Sequence, residues 1–221
     1  QFRLHALTSK ANNLQLEGTY SIAIPGDYNE GNATAAIIAS VLGNATQTDA
    51  VEGLKHVKVA GRMEMVQTKN HGLVYIDYAH NYASLHALLE FLKVQRKVGR
   101  LIVVVGSTGN KGVSRREGFG KALSQGADVA ILTSDDPGYE DPMKIAQEID
   151  HYIDHQRVQV IFEMDRATAI KRAIEMGKPN DVVVLAGKGE DKYQKINGVD
   201  TPYPNDLNVA KNVVKGLEDE Q

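Results

Sequence analysis

The sequence contains no cysteine. That excludes disulfides, thiolate metal sites and a cysteine nucleophile, and it fits a reducing compartment, the cytoplasm. No apolar run approaches the length needed to cross a bilayer, so a membrane partner is not expected. The opening QFRLHALTSK holds no apolar stretch of the kind found in signal peptides. It also lacks an initiator Met, and the chain is expected to begin inside a longer protein. Two nucleotide fingerprints are missing: there is no GxxxxGK[ST] phosphate loop and no G-x-G-x-x-G. Neither sign of charge dominates, with 25 Lys and Arg against 28 Asp and Glu, so no surface for nucleic acid is expected. Internal repeats and low-complexity linkers are absent as well.

What remains is an ordinary globular composition, 42% apolar and 24% charged, long enough for one large or two small domains. From Gly72 onward, short β-branched runs recur at 73–76, 101–105, 129–132, 158–162 and 182–186. They are apolar on both faces, as buried parallel strands are. Helical patterns fill the intervals at about 82–97, 115–125, 142–153 and 166–176, and a last one covers about 206–217. Strands alternating with helices predict an α/β fold, a Rossmann-like, doubly wound and mostly parallel sheet. Residues 1–57 read differently. They hold alternating strand-like pieces, a small-residue helix at 32–43 with Asn32 as N-cap and Gly43 as its stop, and a short helix at 46–57. They are too few for a core of their own and look like the tail of a preceding domain, with a boundary near 58–61.

Ligands of such sheets gather beyond the carboxyl ends of the strands. Asp77 and His80 follow the first strand and suit a ribose hydroxyl, a metal ion or a phosphate; helix capping by Asp77 beside a satisfied His accounts for them as well. GSTGNKGVSRR (106–116) follows the second. Its Lys111, Arg115 and Arg116 sit where a helix N-terminus disfavours cations, which points to an anionic ligand. TSDDPG (133–138) follows the third; one Asp suffices for a turn before Pro137, and the other of Asp135 and Asp136 is free to receive a cation. Glu163-Met164-Asp165-Arg166 follows the fourth. GKGEDKYQ (187–194) follows the fifth, with Gly187 and Gly189 permitting close approach and Lys188, Glu190 and Asp191 offering charge; an αβ turn explains that stretch equally well. His151 and His155 are four apart, a possible metal spacing, but with no third ligand they read as a solvated helix face and no metal site is assigned.

GRMEMV (61–66), DYAHNYASL (77–85), GSTGNKGVSRREGFG (106–120), TSDDPGYEDP (133–142), DRATAI (165–170) and AGKGEDKYQ (186–194) follow the order and spacing of the Mur ligases, and most resemble the UDP-N-acetylmuramyl-tripeptide synthetase type. YNEGNATAAIIAS (28–40) resembles the Asn-rich segment near the end of that family's central ATPase domain. The resemblance implies that residues 1–58 end the central ATP-binding domain and 59–221 form the C-terminal amino-acid-binding domain. It implies an ADP-forming amide ligase of peptidoglycan synthesis, using ATP and Mg²⁺ held mainly by an upstream region, with a UDP-muramyl-dipeptide and a free amino acid as partners. It places Asn32, Arg62, Asp77 and His80 along the nucleotide, and Lys111 and Arg116 in catalysis beside Arg115. Asp135, Asp136, Gly187 and either Glu190 or Asp191 would face the amino acid. Members adding meso-diaminopimelate resemble Asp-Asn-Pro-Arg at the turn, whose Arg grips the far carboxylate. Here Asp135-Asp136-Pro137-Gly138 has lost that cation and gained an acid, so L-lysine is expected, with ornithine or diaminopimelate as alternatives. A nicotinamide-dependent oxidoreductase is the competing reading from another class.

Overall fold

A computed structural model describes residues 1–95 and 99–219. It divides into two units, Gln1–Val59 and Ala60–Gln221. In the first, β1 (Phe2–Leu4) pairs antiparallel with β2 (Gly18–Tyr20). Three helices accompany the pair, α1 (Ser9–Asn12), α2 (Tyr28–Leu42) and α3 (Gln47–His56). Residues 1–57 were expected to lack a core, but this unit has a small one. Phe2 and Tyr20 stack at 5.8 Å and pack with Leu16, Ala33, Ile37 and Leu54. The start of α2 also differs from expectation. The Pro25-Gly26-Asp27 turn opens the helix early, so Asn32 lies inside it instead of capping it. At its end Gly43 keeps a negative φ and Asn44, at φ 73°, makes the reversal.

The second unit holds a six-stranded sheet in the order β3-β4-β8-β5-β6-β7. Its parallel members are β4 (Leu73–Asp77), β5 (Leu101–Val105), β6 (Val129–Leu132), β7 (Gln159–Phe162) and β8 (Val182–Ala186). These match the five β-branched runs; β5, β6 and β8 are buried on both faces, which is why their runs carry no alternation. β4 is partly open at Leu73 and Tyr75, and the edge strand β7 exposes Gln159 and Phe162. β3 (Glu64–Gln67) adds an antiparallel edge that the sequence reading missed. α4 (Tyr82–Gln95), α5 (Val113–Gly126) and α6 (Pro142–Asp150) pack in series on one face, and α7 (Arg166–Met176) and α8 (Asp206–Asp219) lie together on the other. The expected extension of α4 to 96–97 falls outside the described residues. Val74, Ile76, Ile102, Val104, Ile131, Val183 and Leu185 turn to the α7–α8 side, meeting Ile170, Ile174 and Ala210. The alternate residues of each strand face α4–α6 by the two-residue period of a strand. Among the described residues no helix is long and apolar enough to cross a membrane.

β8 enters last and lies between β4 and β5. The chain leaves β5 for α5 on one face, and leaves β8 for α8 on the other, so the crevice between these two strand ends is the topological switch point. Before α8 the chain forms a hairpin, β9 (Tyr193–Ile196) and β10 (Val199–Pro202). Its two-residue turn, Asn197-Gly198, has φ of 50° and 76°. That Asn-Gly pair is the strongest local hairpin signal a sequence can carry, and it was passed over.

Two glycines should respond to alanine in opposite directions. Gly72 opens β4 at φ 84°, and a β-carbon there would lie 2.1 Å from the Asp181 carbonyl oxygen. Gly216, inside α8, has open space around it. Thermal unfolding should show Gly72→Ala destabilised by about 2 kcal/mol or more and Gly216→Ala stabilised by about 0.5–1 kcal/mol.

Candidate active-site rim

The switch-point crevice has room for a side chain because two strand ends lack β-carbons. A Cβ on Gly187 would stand 2.9 Å from Asp135 Oδ2, and one on Gly106 would stand 3.0 Å from Asp135 Cβ. Asp135 fills that space and is buried. Burial pushes its carboxyl up to about 6, against the pull of Arg166 and Lys188 and with the help of Asp136 and Asp206.

Lys188, fully buried, is the centre of the cluster. Its Nζ lies 2.8 Å from Asp136 Oδ1, 3.6 Å from Asp191 Oδ2 and 3.7 Å from Asp135 Oδ1, and 4.9 Å from the Tyr193 ring centroid. Asp136 Oδ1 also accepts the Lys195 N–H at 2.9 Å, so the acid expected to await an outside cation is already engaged by the chain's own ammonium and hairpin. Three carboxylates against one ammonium still leave this cluster acidic. Asp191, about a third exposed, accepts from the Tyr78 hydroxyl at 3.2 Å. Glu190 turns away and accepts from Asn205 Nδ2 at 3.1 Å.

The basic loop behaves less uniformly than its sequence suggests. Arg116 is buried, with Nη1 on Glu148 and Nη2 on Glu140 at 2.8 Å. Its charge has partners, so the inference that it needs an anionic ligand does not hold for Arg116; it braces α5 against the loop before α6. Lys111 is exposed and Arg115 half-buried, and among the described residues neither side chain has an ion pair. Gly109 serves packing: its N–H reaches the Asp136 carbonyl at 2.8 Å, and a β-carbon would stand 1.9 Å from the Pro137 carbonyl oxygen.

At the end of β4, Asp77 is also less open than expected. Oδ2 accepts from Met63 N at 3.0 Å, and Oδ1 from Ala79 N at 2.8 Å and Arg62 Nη1 at 3.5 Å. Burial raises its pKa, and these donors hold it back. The residue brackets the strand end instead of presenting a free carboxylate. Arg62 lies over the Tyr78 ring at 5.3 Å, and exposed His80 sets Nδ1 2.8 Å from the Tyr78 carbonyl oxygen. A carbonyl only accepts, so Nδ1 is the donor in this contact and Nε2 is turned away from it. Asn32 is exposed in the first unit, its Nδ2 directed at Asn29 Oδ1 at 3.3 Å. His151 and His155 do not share a helix: α6 ends at Asp150, which pairs with His155 at 3.1 Å. Among the described residues no three His, Asp or Glu side chains gather to hold a metal ion.

Beside Gly138 opens a cleft walled by the turns after β6 and β7 and by the hairpin. Glu140 and Asp165 line it with Met164, Gln194 and Ile196, and no Lys or Arg does. Asp165 was placed on this rim from the sequence but given no role, and Tyr78, Tyr193 and Glu140 were given none either, because their roles depend on strand order.

The sequence model of the "Mur ligase, glutamate ligase domain" matches residues 61–189, more than half of the chain. The chain belongs to the Mur ligase family. A UDP-N-acetylmuramyl-tripeptide synthetase of Ligilactobacillus salivarius is 61% identical over 96% of the chain and 41% of its own length. A UDP-N-acetylmuramoyl-L-alanyl-D-glutamate–L-lysine ligase of Enterococcus faecalis is 49% identical over 92% of the chain and 40% of its own length. A solved UDP-N-acetylmuramoyl-L-alanyl-D-glutamate–2,6-diaminopimelate ligase superposes with a TM-score of 0.68, is 30% identical, and is covered to 41% by 91% of this chain. The chain thus spans about 40% of the length of the curated relatives it matches. Membership of the Mur ligases sets aside the nicotinamide-dependent reading.

The buried carboxyl of Asp135 is a direct test of this geometry. A carbon-detected NMR titration of the chain should place its midpoint near 6, and Lys188→Met, which removes a charge that holds it down, should move it upward. Since the folded value lies above the ordinary 3.8, the folded state holds this proton more tightly, and the stability that Asp135 contributes falls as pH rises from about 4 to 6.

Proposed function

We propose that this chain is the C-terminal part of an ATP-dependent ligase that joins L-lysine to UDP-N-acetylmuramoyl-L-alanyl-D-glutamate in peptidoglycan synthesis. Residues 1–58 are read as the end of the central ATP-binding domain, and 59–221 as the domain that brings the amino acid. ATP with Mg²⁺ supplies the phosphoryl group that activates the acceptor carboxylate. Lys111 and Arg115, which have no ion pair among the described residues, bind the anionic groups: the activated carboxylate and the carboxylate of the entering amino acid. Arg62 and the Nε2 of His80 serve the nucleotide. Asp191, the most exposed carboxylate of the cluster, holds the attacking amine, and Asp135, buried against Gly106 and Gly187, supports it through Lys188.

The cleft beside Gly138 carries the choice of lysine. Asp165, with Met164, Ile196 and no cation in the lining, suits four methylenes ending in an ammonium, and Glu140, though paired with Arg116, adds to the charge that opposes a second carboxylate. The extra acid at 136 contributes indirectly, by taking the Lys188 ammonium at 2.8 Å and leaving Asp191 more open. The Enterococcus faecalis relative named for L-lysine supports the same choice.

The complete ligase, offered lysine, ornithine and meso-diaminopimelate with the UDP-muramyl-dipeptide, should show its highest kcat/KM for lysine; preference for diaminopimelate would refute the assignment. Gly138→Arg should cut lysine kcat/KM by about 10-fold or more relative to Gly138→Ala, which carries the same backbone cost at φ 62° without the charge. The isolated chain, lacking a phosphate loop, should release no phosphate from ATP.

A further inference from the structure

Arg166 belongs to none of the roles above, yet it is the most completely buried arginine described. It is the first residue of α7, where the helix end disfavours a cation, and it has lost its water. Burial works against its charge, and the Asp206 carboxylate more than offsets this, raising its pKa. Nε and Nη2 grip Asp206 at 2.8 and 2.7 Å in a two-pronged pair. Nη2 also donates to the Ala186 carbonyl at 2.9 Å, and Nη1 reaches the Ser134 carbonyl at 3.5 Å.

Those two carbonyls decide the matter. Ser134 immediately precedes Asp135 and Asp136, and Ala186 immediately precedes Gly187 and Lys188. They belong to the ends of β6 and β8, which β5 separates, so no ladder bond can set their spacing. On its far side the same guanidinium is anchored to the head of α8, where the Tyr203 hydroxyl holds Asp206 at 2.8 Å. Asn205, next in line, reaches Glu190, and Gln194 of the hairpin reaches the Ser134 carbonyl at 3.4 Å. Replacing a buried ion pair by apolar groups is often harmless to stability, so stability alone does not call for this arrangement. A planar fork with five donors is needed to hold a carboxylate and two carbonyls at fixed angles, and a lysine cannot do that.

We propose that Arg166, with Asp206, is a positioning residue for the amino-acid site: it fixes the distance between the Asp135-Asp136 turn and the Gly187–Asp191 turn across the end of β5. This rests on the proposed ligase function for its kinetic consequence, though not for its structural one. Arg166 acts through Asp135, Asp136, Lys188 and Asp191 and touches no substrate itself.

Arg166→Lys and the milder Tyr203→Phe test it in the complete ligase. Arg166→Lys should raise KM for the amino acid about 10-fold or more, with KM for ATP and for the UDP-muramyl-dipeptide within about twofold and most of kcat retained at saturating amino acid. Tyr203→Phe should move the same constant in the same direction by less. Amide exchange of residues 134–138 and 187–195 should quicken in Arg166→Lys while 101–105 stays protected. Unchanged exchange in those turns, an unmoved amino-acid KM, or equal changes in all three KM values would overturn the proposal. If the unaltered ligase used no amino acid, the proposed function would fail and the exchange measurement would still decide the clamp.

Discussion

A missing β-carbon at two strand ends is the constraint on which the rim depends. β5 and β8 each stop at a glycine, Gly106 and Gly187, and the carboxyl side chain of Asp135 occupies the space between them. With any side chain at either position the acid would be displaced from the switch point, and the cluster around Lys188 would lose a member. The sheet order makes the space; the glycines keep it open.

Electrostatics then distribute the charges into pairs that are closed and groups that remain open. Arg116 with Glu140 and Glu148, Arg166 with Asp206, and Lys188 with Asp136 are closed within the protein. Among the described residues Lys111 and Arg115 have no ion pair, and Asp191 is about a third exposed. Only the open groups can change partner cheaply when a ligand arrives, since a buried charge that loses its partner costs several kcal/mol. The division into scaffold and binding surface is therefore electrostatic before it is geometric.

Much of the fold could be read from the chain. LIVVV and VVVLA are fully buried on both faces, as unbroken β-branched runs require, and the helices between them begin and end within a few residues of expectation apart from α6. Where reading failed, a longer-range influence prevailed. HYIDH looks helical, but α6 stops at Asp150 and the two histidines part. Arg166 stood at a helix start just as Arg115 and Arg116 did, and the same objection to cations at that end would have marked it. Its partner lies 40 residues away, beyond what local pattern can supply.

The sequence by itself determined the family, the strand-helix alternation, and the gathering of acids and bases at five strand ends, because hydrophobic period and turn chemistry are local properties. Tertiary structure alone decided which of those charges are spent on one another. Pairing depends on strand order and burial: β8 inserts between β4 and β5, sets Lys188 among three carboxylates, and leaves Arg166 to bridge two strands that do not touch.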